Sequence, residues 1–232
     1  LSTLDRWLAD GDAPEADWGG HVTRLANQGG LGDGGPRLLL DLPALAQPHA
    51  CRTAACTPGL REAGQRSCCA DLDVAPSADE RAALAAAADE LAAFYAPRDP
   101  RWAAGPPATL DDGVLTRPGR RCVFALRGAE GLSCGLHTLE DASGRPRGAL
   151  KPLACRLFPL AVVDMGSARL LTAVHKRTAR ALGSQPARRF PCLKADAGLP
   201  SVAETERALI AELFGERAAR RILAAVVAWG AR

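Results

Sequence analysis

Eight cysteines in a chain of 232 residues limit what this sequence can fold into more than any other feature. They are Cys51, Cys56, Cys68, Cys69, Cys122, Cys134, Cys155 and Cys192, all in the middle of the chain. An even count signals a disulfide framework in short secreted chains. This chain is long enough to bury a core without such staples, and no secretory leader is recognisable. It opens on Leu1 rather than Met, which leaves a preceding segment open. The expectation is reduced thiols in the cytoplasm, with a secreted disulfide scaffold as the competing reading. A single buried cysteine is ordinarily a small core hydrophobe. Eight close together point instead to ligation of a soft metal ion. No apolar run reaches the roughly 18 residues a spanning helix needs, so no membrane association is expected.

The spacing divides the thiols into two groups. Cys51-x4-Cys56-x11-Cys68-Cys69 forms the first. Short spacings let one loop wrap a metal at little closure entropy. The adjacent Cys68 and Cys69 point apart on a strand, so sharing a metal requires a turn or a helix start there. The second group is Cys122, Cys134, Cys155 and Cys192, and His137 follows Cys134 at a ligand-like spacing. His49, two residues before Cys51, and His175 read as surface or neighbouring residues more readily than as ligands, and His21 lies far from the cluster in sequence.

Charge is unevenly distributed. Residues 113–194 carry fifteen Lys and Arg against four Asp and Glu, while the rest carries fourteen against twenty-two. A solvated basic face is one reading, and an anion or nucleic-acid surface is another. The third is compensation of thiolates, since four of them around a divalent ion leave surplus negative charge. A mixture of the first and third is expected. An anionic small molecule or a protein partner fits this segment. Nucleic acid is disfavoured, because the arginines are not interleaved with aromatic residues.

Around the cysteines the chain reads as follows. Ser2, Asp5, Trp7 and Leu8 suggest a short capped helix. The glycines from Gly29 to Gly35 and Pro36 read as a loop, lacking the Gly-Lys-Ser/Thr ending of a phosphate loop. Leu38 to Leu42 suits a short strand. Ser77 and Glu80 form a capping box ahead of a helix to Tyr95. Pro97, Pro100, Pro106 and Pro107 mark an irregular linker, and Asp111 and Asp112 a turn. Residues 113–126 look extended, and 158–163 with 169–174 form a hairpin. Ser201 and Glu204 cap a final helix to residue 229, which Gly215 interrupts.

The ordered pattern resembles the zinc- or iron-chelating cysteine-cluster family over residues 49–194. The resemblance rests on a cysteine-rich motif ending in Cys68-Cys69, on Cys122-Val123-Phe124, on Cys134 and on Cys192. Its most specific element is Lys151-Pro152 followed by Cys155-Arg156-Leu157-Phe158-Pro159. Two departures stand out: the long gap between Cys56 and Cys68, and His137 where many members carry tyrosine. The resemblance implies metal binding. Related motifs in flagellin lysine N-methylases suggest iron–sulfur, S-adenosylmethionine-linked chemistry for some relatives. In the Cys-Arg-x-Phe-Pro segment, Cys155 would ligate, Arg156 would donate to a sulfur or to a carboxylate, or bind the cofactor, Phe158 would shield the site and Pro159 would rigidify the exit. The competing reading is a solvated Arg156 and a core Phe158.

The expectation is therefore an α+β fold: a small, irregular, cysteine-rich, metal-centred domain with flanking helices and a short hairpin. Residues 1–48 form an N-terminal lead-in, 49–194 the metal-binding core and 195–232 a packing helix, all within a single domain. The expected ligands are the eight cysteines and His137. Iron or an iron–sulfur cluster is the expected cofactor, with zinc as the alternative. Two roles stay open. One is a structural-zinc interaction module without catalysis. The other is a redox or methyl-transfer enzyme.

Overall fold

The structure, a computed structural model, describes residues 17–50, 66–128, 131–182, 184, 186–193 and 198–231. The expected helix over Ser2–Leu8, together with Cys51 and Cys56, lies outside them. The fold is α+β. In chain order the elements are α1 (Trp18–Asn27), β1 (Leu31–Gly35), β2 (Leu38–Asp41) and α2 (Leu42–Leu45). Next come α3 (Cys68–Asp71), α4 (Ala78–Ala86), α5 (Ala88–Tyr95), α6 (Pro100–Ala103), β3 (Leu110–Asp111) and β4 (Val114–Leu115). They are followed by β5 (Ala125–Gly128), β6 (Gly131–Cys134), α7 (Gly135–Ser143), α8 (Leu153–Leu157), β7 (Leu160–Asp164) and β8 (Arg169–Ala173). The last three helices are α9 (Val202–Thr205), α10 (Arg207–Phe214) and α11 (Glu216–Gly230).

These elements group into two compact units, one from the chain ends (residues 1–51 and 157–232) and one from the middle (52–156). The terminal unit contains a four-stranded sheet in the order β1-β2-β8-β7. The β1/β2 and β7/β8 pairs are antiparallel, while β2 and β8 run parallel. The expected hairpin over 158–174 is thus present as β7 and β8. Leu40, Leu170 and Leu171 are fully buried, and Trp18, Val163 and Leu170 form a cluster against which Leu39 packs. Near-continuous leucine runs suit strands covered on both faces.

β1 corrects the sequence reading of a glycine loop. Leu31–Gly35 is an edge strand with an irregular step between Asp33 and Gly35. A Cβ on Gly32 would lie 2.9 Å from Leu42, and one on Gly34 would lie 2.8 Å from Leu38. The glycines at this two-residue spacing let the strand lie directly on the leucine side chains. They belong to a strand because they carry no side chain on its inner face.

In the middle unit, the Ser77 capping box starts α4 as expected. Glu80 also reaches beyond the box. Its Oε2 accepts from the Ser77 amide at 2.8 Å, and its Oε1 accepts from the Leu153 amide at 2.6 Å. The expected single helix to Tyr95 divides at Ala87, whose N–H turns to both the Ala83 and Ala85 carbonyls. The proline-rich linker is more ordered than expected. Asp99 caps α6 there, and Trp102 is buried. Trp102 stacks on Tyr95 at 4.7 Å between ring centroids, and the Tyr95 hydroxyl donates to the Phe124 carbonyl at 2.9 Å.

The extended segment expected over 113–126 is only partly extended. β4 is short, a 3-10 turn follows at Pro118–Arg120, and β5 starts at Ala125. The physical reason lies in Arg101. Its Nη1 donates to the carbonyls of Pro118, Arg121 and Cys122, and its Nη2 to those of Val123 and Ala125. A guanidinium, in place of a neighbouring strand, satisfies these acceptors, so the backbone need not stay extended. The C-terminal helical segment begins with the expected Ser201–Glu204 capping box and divides at Glu206 and Gly215. No helix among the described residues is long and apolar enough to cross a membrane.

Candidate metal centre

Five of the predicted ligands, Cys68, Cys69, Cys122, Cys134 and Cys155, lie in the middle unit, near enough to influence one another's ionisation. α3 starts at Cys68 and packs on β6, which ends at Cys134. The Cys122 amide donates to the Cys69 carbonyl at 2.6 Å, and the Gly135 amide to the Phe124 carbonyl at 2.9 Å. Cys134 pairs with Ala125 across the β5/β6 ladder. Cys122, Cys134 and Cys155 are half-buried against the aromatic core around Tyr95 and Phe124. The helix start required for the adjacent pair is therefore present at α3. All described cysteines carry free thiols.

The Cys68 and Cys69 sulfurs lie 3.9 Å apart and share a hydrogen bond. That bond draws the Cys68 thiol down to about 7, with Lys151 helping, and pushes its neighbour up. The pair gives up its first proton readily and its second with difficulty. Burial raises Cys122 to about 11 despite the Phe124 amide directed at its sulfur. Burial likewise raises Cys134, against the pull of Lys151 and of the His137 and Leu136 amides at the start of α7. Burial and the neighbouring thiols raise Cys155 further. Burial works against the Lys151 ammonium, but Cys134, Cys155, Cys68 and Cys69 outweigh it and hold the charge in place. Half-buried thiols with amide donors and the Lys151 and Arg101 cations nearby form an environment that becomes favourable for several thiolates once a soft cation replaces their protons.

The other predicted residues stand elsewhere. His137 contributes its amide to Cys134, while its imidazole Nε2 lies 3.4 Å from Asp141 Oδ2. The guanidinium of Arg156 lies over Gly148, 2.2 Å from where a Cβ would stand there. Cys192 belongs to the terminal unit, where its carbonyl accepts from the Ala50 amide at 3.2 Å. His49 is buried in the same unit, 3.5 Å from Glu206, and burial lowers its imidazole to about 4. Phe158 packs on Phe190, also in that unit, at 4.9 Å between ring centroids. Among the described residues no three His, Cys, Asp or Glu side chains stand in the arrangement that holds a metal ion. The sequence reading did not single out Tyr95, Arg101 or Glu140, which shape the loops bearing the thiols. No motif marks them.

Gly135 ties the core to the thiol group. A Cβ there would lie 2.2 Å from the Tyr95 hydroxyl and 2.6 Å from its Cζ. The ring cannot swing aside, because Trp102 stacks on it and the Phe124 carbonyl holds its hydroxyl. Gly135→Ala is expected to cost about 1–3 kcal/mol, the usual range for overpacking. A urea midpoint equal to the wild type would mean that the ring relaxes without penalty.

Comparison with family models, with curated proteins and with solved structures found no match to this chain.

Proposed function

We propose that the chain is a metal–thiolate protein whose middle unit binds a soft metal through Cys68, Cys69, Cys122, Cys134 and Cys155. The observation that carries this reading is the grouping of four free, partly buried thiols (Cys68, Cys69, Cys134 and Cys155) around the Lys151 ammonium, with Cys122 beside them. Packing alone gives a core no reason to gather that many thiols beside a half-buried cation. Amide donors at Cys122 and Cys134 favour the thiolate form and tune the potential of iron–sulfur sites. Iron, alone or in an iron–sulfur cluster, is the first reading, since the thiols outnumber the four a tetrahedral zinc site takes. When bound, iron would supply one-electron chemistry.

The test is metal content per chain together with the visible spectrum, on protein purified without oxygen and without a metal-binding tag. Stoichiometric iron with acid-labile sulfide and visible absorption is the expected result. Cys134→Ser and Cys155→Ser are expected to lose most of the metal, while Cys192→Ser keeps it. Stoichiometric zinc in a colourless sample would replace the redox reading with a structural one. Absence of both metals would overturn the proposal.

A further inference from the structure

The terminal unit holds a half-open cavity, of mixed polar and apolar lining, that the metal reading does not use. It has a volume of about 400 Å³ and is lined by His21, Arg24, Leu25, Gln28 and Arg177. Two guanidinium groups, an imidazole and an amide face it, with no carboxylate among the lining residues. The size suits a small ligand with an organic substituent.

The imidazole is anchored from behind. His21 is 4% exposed, and its Nε2 lies 2.8 Å from Asp41 Oδ2. The same oxygen accepts from the Thr172 hydroxyl at 2.8 Å, and Oδ1 accepts from the Ala44 amide at 3.2 Å. Asp41 and Thr172 are themselves buried. The Thr172 hydroxyl and the Ala44 amide hold the Asp41 side chain, which in turn fixes the His21 ring through Nε2. The Trp18 ring adds an edge contact at 5.7 Å. In the tautomer that donates from Nε2, Nδ1 only accepts, so it meets a ligand oxygen that carries a proton. At the mouth, Arg177 rests on the neutral Gln28 side chain, not on an acid. Burial lowers the neighbouring His175 imidazole; Asp41 opposes this, while Lys176 and Arg177 add to it.

We propose that this cavity binds a phosphate-type oxyanion, with Arg24 and Arg177 as forked donors and His21 as the fixed floor. Guanidinium groups bind such oxygens in pairs, which a single ammonium cannot do. This site stands independently of the metal.

Titration calorimetry of the full chain with inorganic phosphate and with phenyl phosphate tests the proposal. Millimolar or tighter binding of at least one is expected. Arg24→Ala and Arg177→Ala alter exposed side chains and are each expected to weaken it at least tenfold. Arg180→Ala, an exposed cation on the same segment but outside the lining, is expected to leave it within twofold. Tighter phenyl phosphate binding would identify a phosphate ester as the ligand, and tighter inorganic phosphate the free ion. No binding, or equal weakening by Arg180→Ala and Arg177→Ala, would overturn the site in favour of diffuse surface charge.

Discussion

Asp99→Ala is expected to cost about 3–5 kcal/mol, the range for removing one partner from a buried ion pair. The Asp99 side chain is 1% exposed, and it holds both Arg101, at 2.6 Å, and Arg121, at 3.1 Å. Its loss leaves two guanidinium groups without a counter-charge. Arg101 is the group that binds five carbonyls between Pro118 and Ala125. The damage therefore reaches the loop bearing Cys122, and under the proposed metal–thiolate reading the variant is expected to retain less metal than its residual folding would suggest. Arg101→Lys is expected to rescue little, because one ammonium cannot reach the same set of acceptors.

The same cluster makes a pH prediction. Burial raises the Asp99 carboxyl, but hydrogen bonds from Arg101 and Arg121 outweigh it and lower the group from 3.8 to about 2. The unfolded chain therefore binds a proton at higher pH than the folded one. The stabilisation is fully present above about pH 4 and is lost as pH falls towards 2. It amounts to about 2 kcal/mol at neutral pH, since each tenfold change in proton affinity is worth about 1.4 kcal/mol. Urea midpoints measured from pH 5 to pH 2 are expected to fall more steeply for the wild type than for Asp99→Asn. Parallel slopes would show that the carboxylate is not the group being titrated.

Features specified over short sequence distances were legible. The two capping boxes and the β7/β8 hairpin depend on residues a few positions apart, and they stand where the pattern placed them. Gly32 and Gly34 misled because their role is set by Leu38 and Leu42, leucines that local composition does not connect to them. Nothing local marks Arg101, since its five acceptors lie some twenty residues later. In the candidate site, residue type alone named the thiols. It could not separate Cys192, which the fold places in the other unit, from the five that gather. The Asp41–His21–Thr172 network joins positions 20 to 131 residues apart and was invisible for the same reason.

Glu140→Ala is the second large effect expected, at about 3–5 kcal/mol. Glu140 is completely buried. Oε1 accepts from the Leu150 and Lys151 amides, each at 2.7 Å, and Oε2 from the Gly148 amide at 3.2 Å. Removing the carboxylate leaves three backbone donors without their acceptor, at about 1–3 kcal/mol for each one that water does not reach. Glu140→Gln should fall between the wild type and Glu140→Ala. Its remaining oxygen can keep the Leu150 and Lys151 amides, while its NH2 meets the Gly148 N–H donor to donor. The carboxylate also fixes the backbone that aims Lys151 at the thiols. In the glutamine variant, metal loss should therefore follow the Gly148–Lys151 loop more than global stability. That is read by comparing metal content with the urea midpoint in Glu140→Gln and in a core variant of matched stability, Leu84→Ala. Equal metal retention in the two would mean that Glu140 supports the fold alone and that the position of Lys151 does not matter to the thiols.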